Sequence, residues 1–145
     1  MQSLTPDDWQ RLTLARRWPV KDVAAHLLDG NLRTLSMLRD GYFGEAPGEI
    51  NSYDDLLGFL NRLNAEWVTS TRLLSPAVLI DVLTQSGREY ADFLAALDLQ
   101  APAAFAVAWA GESESANWFY IAREYAEKWH HSSKSGPPWV KRSSC

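Results

Sequence analysis

Three side chains in this sequence have the types and part of the spacing of a metal site. Glu127 and His131 lie four residues apart in the stretch NWFYIAREYAEKWHH, which begins at Asn117. In a helix, residues four apart project side by side from successive turns. Zinc and similar divalent ions bind imidazole and carboxylate groups, and catalytic zinc sites use three protein ligands plus an open position. Together with the distant His26, this pair predicts a metal site formed by His26, Glu127 and His131.

The spacing alone leaves a simpler interpretation open. A Glu/His pair four residues apart is often only a solvated pair on a helix surface, and a lone histidine at a helix edge is often partly buried and hydrogen-bonded. Other catalytic patterns are absent from the sequence. A di-iron bundle needs two Glu-x-x-His units, but Val23 stands three residues before His26. There is no HExxH motif, no G-x-S-x-G elbow and no glycine-rich phosphate loop.

The stretch that carries the pair is predicted to be one amphipathic helix with two faces. The apolar face is expected to pack into the core and consists of Trp118, Ile121, Ala122, Tyr125 and Trp129. The opposite face carries Tyr120, Glu124, Glu127 and His131. We expect Tyr120, Glu124 and Asn117 to line a pocket beside the metal, and Arg123 and Lys128 to be solvated.

Helix start and stop signals divide the rest of the chain. They predict helices from Pro6 to about Ala15, from Pro19 to near Gly41, from Asp54 or Asp55 through Leu74, from Ser75 to about Leu97, and from about Ser113 onward. Residues 42–52 are predicted to form a loop, and the apolar run AAFAVAW is predicted to be a strand or a buried loop. Gly87, inside the fourth helix, suggests close helix packing. Four substantial helices with short connections predict an all-α fold, an up-and-down four-helix bundle.

Composition limits the class of protein. The chain has 145 residues, 46% of them hydrophobic, with a formal net charge of -4, so one domain with a substantial core is expected. The acidic balance gives no basic field for nucleic acid, and no run is long enough to cross a bilayer. The N-terminal segment lacks the apolar region of a secretory signal, and the one cysteine, Cys145, allows no internal disulfide, so we expect a cytoplasmic protein. We place the helical domain at residues 1–131 and an irregular tail at 132–145.

Two segments resemble a known family. WPVKDVAAHLLDGNLR is similar to the W-x-V-K-D-x-x-x-H-L signature of the DinB/YfiT-like superfamily, and more narrowly to the mycothiol-dependent maleylpyruvate isomerase, metal-binding-domain type. REYAEKWHH, which ends at His131, matches the E-x-W-x-H segment of that group, and RLNAEWV and WAGESES also resemble its members. The resemblance implies a helical bundle in which His26, Glu127 and His131 hold a divalent metal ion, commonly zinc, with nickel or another ion as the alternative.

The resemblance also implies a chemistry. In such enzymes a low-molecular-weight thiol, mycothiol or a relative, loses its proton on the metal and adds to an electrophilic substrate, which permits isomerisation or S-transfer. The expected partners are therefore a small thiol and a small electrophile, with no nucleic acid or membrane and with a homodimer as one option. Larger isomerases of the family add a C-terminal domain that helps to hold thiol and substrate. Since the sequence shows no counterpart to it, the alternative is a non-catalytic bundle that binds metal or a partner.

Overall fold

The computed structural model describes residues 4–13, 18–45, 48–105 and 113–134. Its helices are α1 (Pro6–Gln10), α2 (Val20–Thr34) with a π-helical continuation (Leu35–Arg39), α3 (Tyr53–Thr71), α4 (Pro76–Ala95) and α5 (Asn117–Lys134). In these ranges the extended pairing amounts to two isolated bridges, Leu12 with Pro19 and Pro102 with Ala116. The described part of the chain is therefore all-α, which confirms the predicted class.

Side-chain caps fix where three of the helices begin. The backbone N–H of Asp8 donates to the Thr5 hydroxyl before α1, and that of Asp55 donates to the Ser52 hydroxyl before α3. The N–H of Val78 donates in the same way to Ser75 before α4. Each hydroxyl satisfies an N–H group that has no partner inside its helix. These caps are visible in the sequence, which is why the predicted starts agree with the observed ones within one or two residues.

The core lies mainly between α2 and α4. Leu28 of α2 and Leu79 of α4 are among the largest fully buried side chains, and Trp9 of α1 packs into the same cluster. The indole N–H of Trp67 in α3 donates to the carbonyl oxygen of Ala25 at 2.8 Å. The residue that precedes His26 is therefore tied to the third helix as well as surrounded by core side chains.

The second helix ends in a different geometry from the one predicted. From Leu35 to Arg39 it widens into a π-helical turn, and it stops before Gly41, which has a φ of 69°. The N–H of Tyr42 closes the end by donating to the carbonyl oxygen of Ser36 at 2.8 Å. Glycine adopts this left-handed backbone without steric cost. The predicted end near Gly41 is confirmed, whereas no pattern in the sequence indicated the π-helical turn.

Other boundaries differ more. The first helix ends at Gln10 because Arg11 takes an extended conformation with ψ of 133°; the predicted end, Ala15, lies outside the described residues. The last helix begins at Asn117 rather than near Ser113 and extends to Lys134, three residues into the segment predicted to be irregular. The apolar run is described only as far as Phe105, without a named strand. Among the helices described, none has the length and apolar character needed to cross a membrane.

Candidate metal centre

Two of the predicted ligands, His26 of α2 and His131 of α5, are brought together by the fold. Their ring centroids are 4.9 Å apart with an interplanar angle of 69°. Two imidazoles on one tetrahedral zinc ion, each with a Zn–N distance of about 2.1 Å, have centroids roughly 5 Å apart. The separation of the two rings is therefore compatible with a shared metal ion, and it also lies within the range of an ordinary edge-to-face ring contact.

His26 also carries an unsatisfied polar atom. Its Nδ1 is buried and has no hydrogen-bond partner, a rare situation for a buried nitrogen. Trp18 covers one side of the ring, with a centroid separation of 5.1 Å. Burial, followed by the proximity of His131, lowers the pKa of His26 to about 4. The ring is consequently neutral near pH 7, which is the form of imidazole that binds a metal.

The third predicted ligand, Glu127, is nearby but less constrained. Its Oε1 lies 3.9 Å from Nε2 of His131, and its side chain is 63% exposed. Ligand atoms of one tetrahedral zinc ion are about 3.4 Å apart, so Glu127 and His131 are slightly farther apart here than two ligands of one zinc ion. In the ranges that the structure describes, no three His, Cys, Asp or Glu side chains already converge as a metal-binding group. The donor types and the two imidazoles fit a divalent ion, and the carboxylate would have to close the site.

The contacts between α2 and α5 show how the helices position these residues. His26 meets His131, and Asn31 meets Lys128. Successive residues of α2 thus contact successively earlier residues of α5, which means that the two helices run antiparallel here. His130, whose ring centroid is 6.0 Å from that of His131, lies on the exposed side of α5.

The face that α5 turns toward the protein is the opposite of the predicted one. Trp118, Tyr125 and Trp129 are exposed by 52%, 71% and 63%, whereas Tyr120 is exposed by only 5%. The prediction that the aromatic stripe packs into the core is therefore wrong. The buried face is instead the polar one, because hydrogen bonds to α2 and α4 satisfy its polar groups and offset their desolvation.

A polar network between α2, α4 and α5 provides those bonds. The hydroxyl of Tyr90 in α4 donates to Oε2 of Glu124 at 2.9 Å. The ammonium group of Lys128 lies 4.2 Å from the centroid of the Tyr90 ring and donates to Oδ1 of Asn31 at 2.5 Å. Asn31 in turn donates to the hydroxyl of Ser86 in α4 at 3.2 Å. The prediction that Lys128 is solvated is wrong: it is partly buried, and burial lowers its pKa.

Sequence reasoning missed this network, although one signal was available. Lys128 follows Glu124 by four residues and precedes His131 by three, so it had to share their helix face. Its partners Asn31 and Ser86 lie on other helices, and nothing in the spacing along the chain connects them with it.

The three predicted pocket residues have separate environments. Glu124 lines an open groove along α5 that also contains Glu127. Asn117 donates from Nδ2 to the carbonyl oxygen of Asp98 at 2.9 Å and so anchors the start of α5. Tyr120 is buried and shares a hydrogen bond with Thr34; burial raises the pKa of its phenol.

Comparison with known proteins identifies the family. Residues 1–133 match the mycothiol maleylpyruvate isomerase N-terminal domain. The chain belongs to this family. No curated protein and no solved structure gives a significant match. The family match confirms the resemblance to DinB-like helical domains.

All of the candidate residues fall inside the part of the chain that matches this isomerase domain family. His26 lies in the first of the two motifs, and Glu127 and His131 lie in the second. The two motifs, about a hundred residues apart in sequence, meet at the contact between the imidazole rings of His26 and His131.

Proposed function

We propose that the protein binds a divalent metal ion, zinc in the first instance, through His26, Glu127 and His131, and that it uses this ion to activate a low-molecular-weight thiol. The thiol, mycothiol or a relative, would add to an electrophilic substrate for isomerisation or S-transfer. The observation that carries the proposal is the 4.9 Å approach of the two imidazoles. Membership of the mycothiol maleylpyruvate isomerase N-terminal domain family supports the thiol part.

The residues of the chain have separate tasks in this proposal. His26 is kept neutral by burial and offers a nitrogen that no protein group occupies. His131 and Glu127 project from neighbouring turns of α5, so that the exposed carboxylate can rotate toward the rings. Bound there, a divalent ion supplies a Lewis acid that lowers the pKa of a coordinated thiol. In this proposal the thiol and the electrophile lie in the open groove along α5 that Glu124 and Glu127 line.

Metal and thiol binding can be tested separately. Protein purified without chelator is analysed for metal content, then stripped and titrated with Zn²⁺ by calorimetry. We expect one ion per chain and a rise in the melting temperature, because a ligand that binds only the folded state stabilises it. His26→Ala and His131→Ala should remove high-affinity binding, whereas His130→Ala should not. Absence of stoichiometric binding of Zn²⁺, Ni²⁺, Co²⁺ and Mn²⁺ would exclude the proposed site.

A second candidate is a bundle that binds metal or a partner without turnover. It is favoured by the 63% exposure of Glu127 and by its 3.9 Å distance from His131, which leave the ligand set open. The metal-loaded protein is titrated with mycothiol. Binding that disappears in His131→Ala supports the enzyme, and metal binding without thiol affinity supports the second candidate.

The proposal extends to the architecture and setting of the protein. We propose that α2, α3, α4 and α5 form an up-and-down four-helix bundle that acts in the cytoplasm on small molecules. The antiparallel contact between α2 and α5 supports this arrangement. Analytical ultracentrifugation distinguishes a single bundle from a homodimer.

A further inference from the structure

Lys128 lies between Glu127 and His131 in sequence, and its ammonium group contacts side chains of two other helices. Its ammonium group donates to Oδ1 of Asn31 on α2 at 2.5 Å and lies over the ring of Tyr90 on α4. A buried charge is costly unless polar groups replace its water. Here the amide oxygen and the face of the aromatic ring replace it.

The acceptor of this bond is itself fixed in place. Asn31 is only 3% exposed. Its Nδ2 donates to the hydroxyl of Ser86 at 3.2 Å, and that hydroxyl donates to the carbonyl oxygen of Leu83 at 3.3 Å. Lys128 therefore connects α5 to a side chain that α2 and α4 hold rigidly together.

The bond between Lys128 and Asn31 lies within about one and a half helical turns of the candidate metal ligands on both helices. Asn31 follows His26 by five residues, a rise of roughly 7.5 Å along α2, and Lys128 precedes His131 by three residues, roughly 4.5 Å along α5. The described apolar side chains on the outer face of α5 contribute little to holding it, because Trp118, Tyr125 and Trp129 are exposed. Tyr120, the buried aromatic residue of α5, lies about two turns before Lys128. Near the metal ligands, the rotation of α5 that decides whether Glu127 and His131 face His26 therefore depends on polar bonds such as this one.

We propose that Lys128 is a positioning residue for the metal centre: by bonding to Asn31 it sets the rotation and depth of α5, so that Glu127 and His131 meet His26. The inference rests on the proposed metal site. Groups that orient metal ligands commonly change metal affinity by about 10–100-fold when they are removed.

The direction of the change in metal affinity distinguishes a positioning role of Lys128 from simple charge repulsion between Lys128 and the metal ion. Lys128 carries a positive charge near a cation site, so its removal should strengthen metal binding if only electrostatic repulsion mattered. If its role is to position α5, removal should weaken binding and change the coordination geometry. Lys128→Met preserves most of the length and apolar character of the side chain and removes the ammonium group.

The chain offers a matched control. The ammonium group of Lys21, also partly buried, donates to the carbonyl oxygen of Arg72 at 2.8 Å, another bond between helical segments that involves α2. Lys21 precedes His26 by five residues, as Asn31 follows it by five. Lys21→Met thus removes an equivalent bond and one positive charge without touching the contact between α2 and α5.

The test is titration of the metal-free full chain with Co²⁺, whose visible absorption reports coordination geometry, below the melting temperature of every variant. We expect Lys128→Met to bind Co²⁺ about tenfold or more weakly than wild type, with altered band positions and intensities. Lys21→Met should retain wild-type affinity and spectrum. Equal or stronger binding by Lys128→Met with an unchanged spectrum would overturn the positioning role while leaving the metal site intact.

Two other outcomes are also decisive. If the wild-type chain binds neither Co²⁺ nor Zn²⁺, the proposed function fails and the positioning role fails with it. If Lys128→Met does not fold, Asn31→Ala replaces it, since this variant removes the oxygen that accepts from Lys128 and leaves the lysine charge in place. Weaker binding with an altered Co²⁺ spectrum in Asn31→Ala supports the inference, and wild-type behaviour overturns it.

Discussion

The hydroxyl of Tyr90 on α4 donates a 2.9 Å hydrogen bond to the carboxylate of Glu124 on α5. Burial, and then the neighbouring Glu124 carboxylate, raise the pKa of Tyr90 above its ordinary value, so the hydroxyl keeps its proton. The ammonium group of Lys128 in α5 lies over the face of the same ring. Tyr90 therefore contacts α5 through both its hydroxyl group and its ring face. Polar bonds therefore attach the last helix to the protein alongside the packing of its buried Tyr120.

Tyr90→Phe tests how much this bond contributes. The variant keeps the aromatic face for Lys128 but removes the donor from a partly buried carboxylate. We expect the free energy of unfolding to fall by about 1–2 kcal/mol, as is common when a bond to a charged group is lost. Urea denaturation measures the change. Tyr125→Phe is the control, because its ring is 71% exposed, and equal losses in the two variants would show that the Tyr90 bond is not stabilising.

The helices could largely be predicted from the sequence because their signals are local. The hydroxyls of Ser52 and Ser75 mark the starts of α3 and α4, and Gly41 marks the end of the second helix. Each signal concerns residues within a few positions of one another. The π-helical turn depends on how the widened backbone packs in the folded protein, and no local pattern indicated it.

The site could be predicted only in part, for a related reason. Helical spacing placed Glu127 and His131 on one face, but His26 entered the predicted site only as the remaining histidine of the chain and through the family resemblance, since its approach to His131 is set by tertiary packing. Hydrophobicity favoured the wrong face of α5, because the partners of its polar residues lie on α2 and α4. The polar face was therefore recognised as a site but not as the face that packs against the protein.

His26 should make the metal-free protein less stable in mild acid. Its pKa is lowered to about 4 in the folded state and is about 6.5 in an unfolded chain, so between these values the unfolded state binds more protons. Stability therefore falls as the pH drops from about 6.5 to about 4, and this contribution is constant below that range. Each pKa unit corresponds to about 1.4 kcal/mol; with partial exposure of the ring we expect a total of about 1–2 kcal/mol.

The measurement is urea denaturation between pH 4 and 7 in the presence of chelator. His26→Gln should lose this part of the pH dependence, whereas His130→Gln should keep it, because His130 is on the exposed side of α5. A pH profile of His26→Gln that is identical to that of wild type would contradict the assignment.

Gly87→Ala should stabilise the protein. A Cβ atom at this position in α4 would meet its nearest neighbour, Nδ2 of Asn31, at 3.8 Å, an ordinary van der Waals contact. The close helix packing predicted for Gly87 does not exclude a methyl group, and the gain in helix propensity is up to about 1 kcal/mol. Gly41→Ala should have the opposite effect and cost roughly 1 kcal/mol, since φ is 69° there. Thermal denaturation shows whether each variant is more or less stable than wild type. Destabilisation by Gly87→Ala would show that α2 and α4 approach each other too closely at this position to admit a methyl group.

Leu28→Ala should be strongly destabilising. Leu28 is 1% exposed and packs in the cluster that joins α2 to α4. Truncation of such a side chain removes buried apolar area and leaves a cavity, with an expected cost of about 2–5 kcal/mol. Leu73→Ala is the matched control, because Leu73 is 92% exposed, and it should change the free energy of unfolding by less than about 0.5 kcal/mol. Similar costs for the two variants, measured by urea denaturation, would contradict the position of the core.

The orientation of α5 can be tested with two aromatic residues two positions apart. Tyr120 is 5% exposed and Trp118 is 52% exposed. With this orientation, Tyr120→Ala should cost about 3–5 kcal/mol, whereas Trp118→Gln should cost well under half of that. Had the apolar stripe packed into the core as its hydrophobicity predicted, the order of the two effects would be reversed. Chemical denaturation followed by circular dichroism, which does not depend on the removed tryptophan, decides between the two orientations.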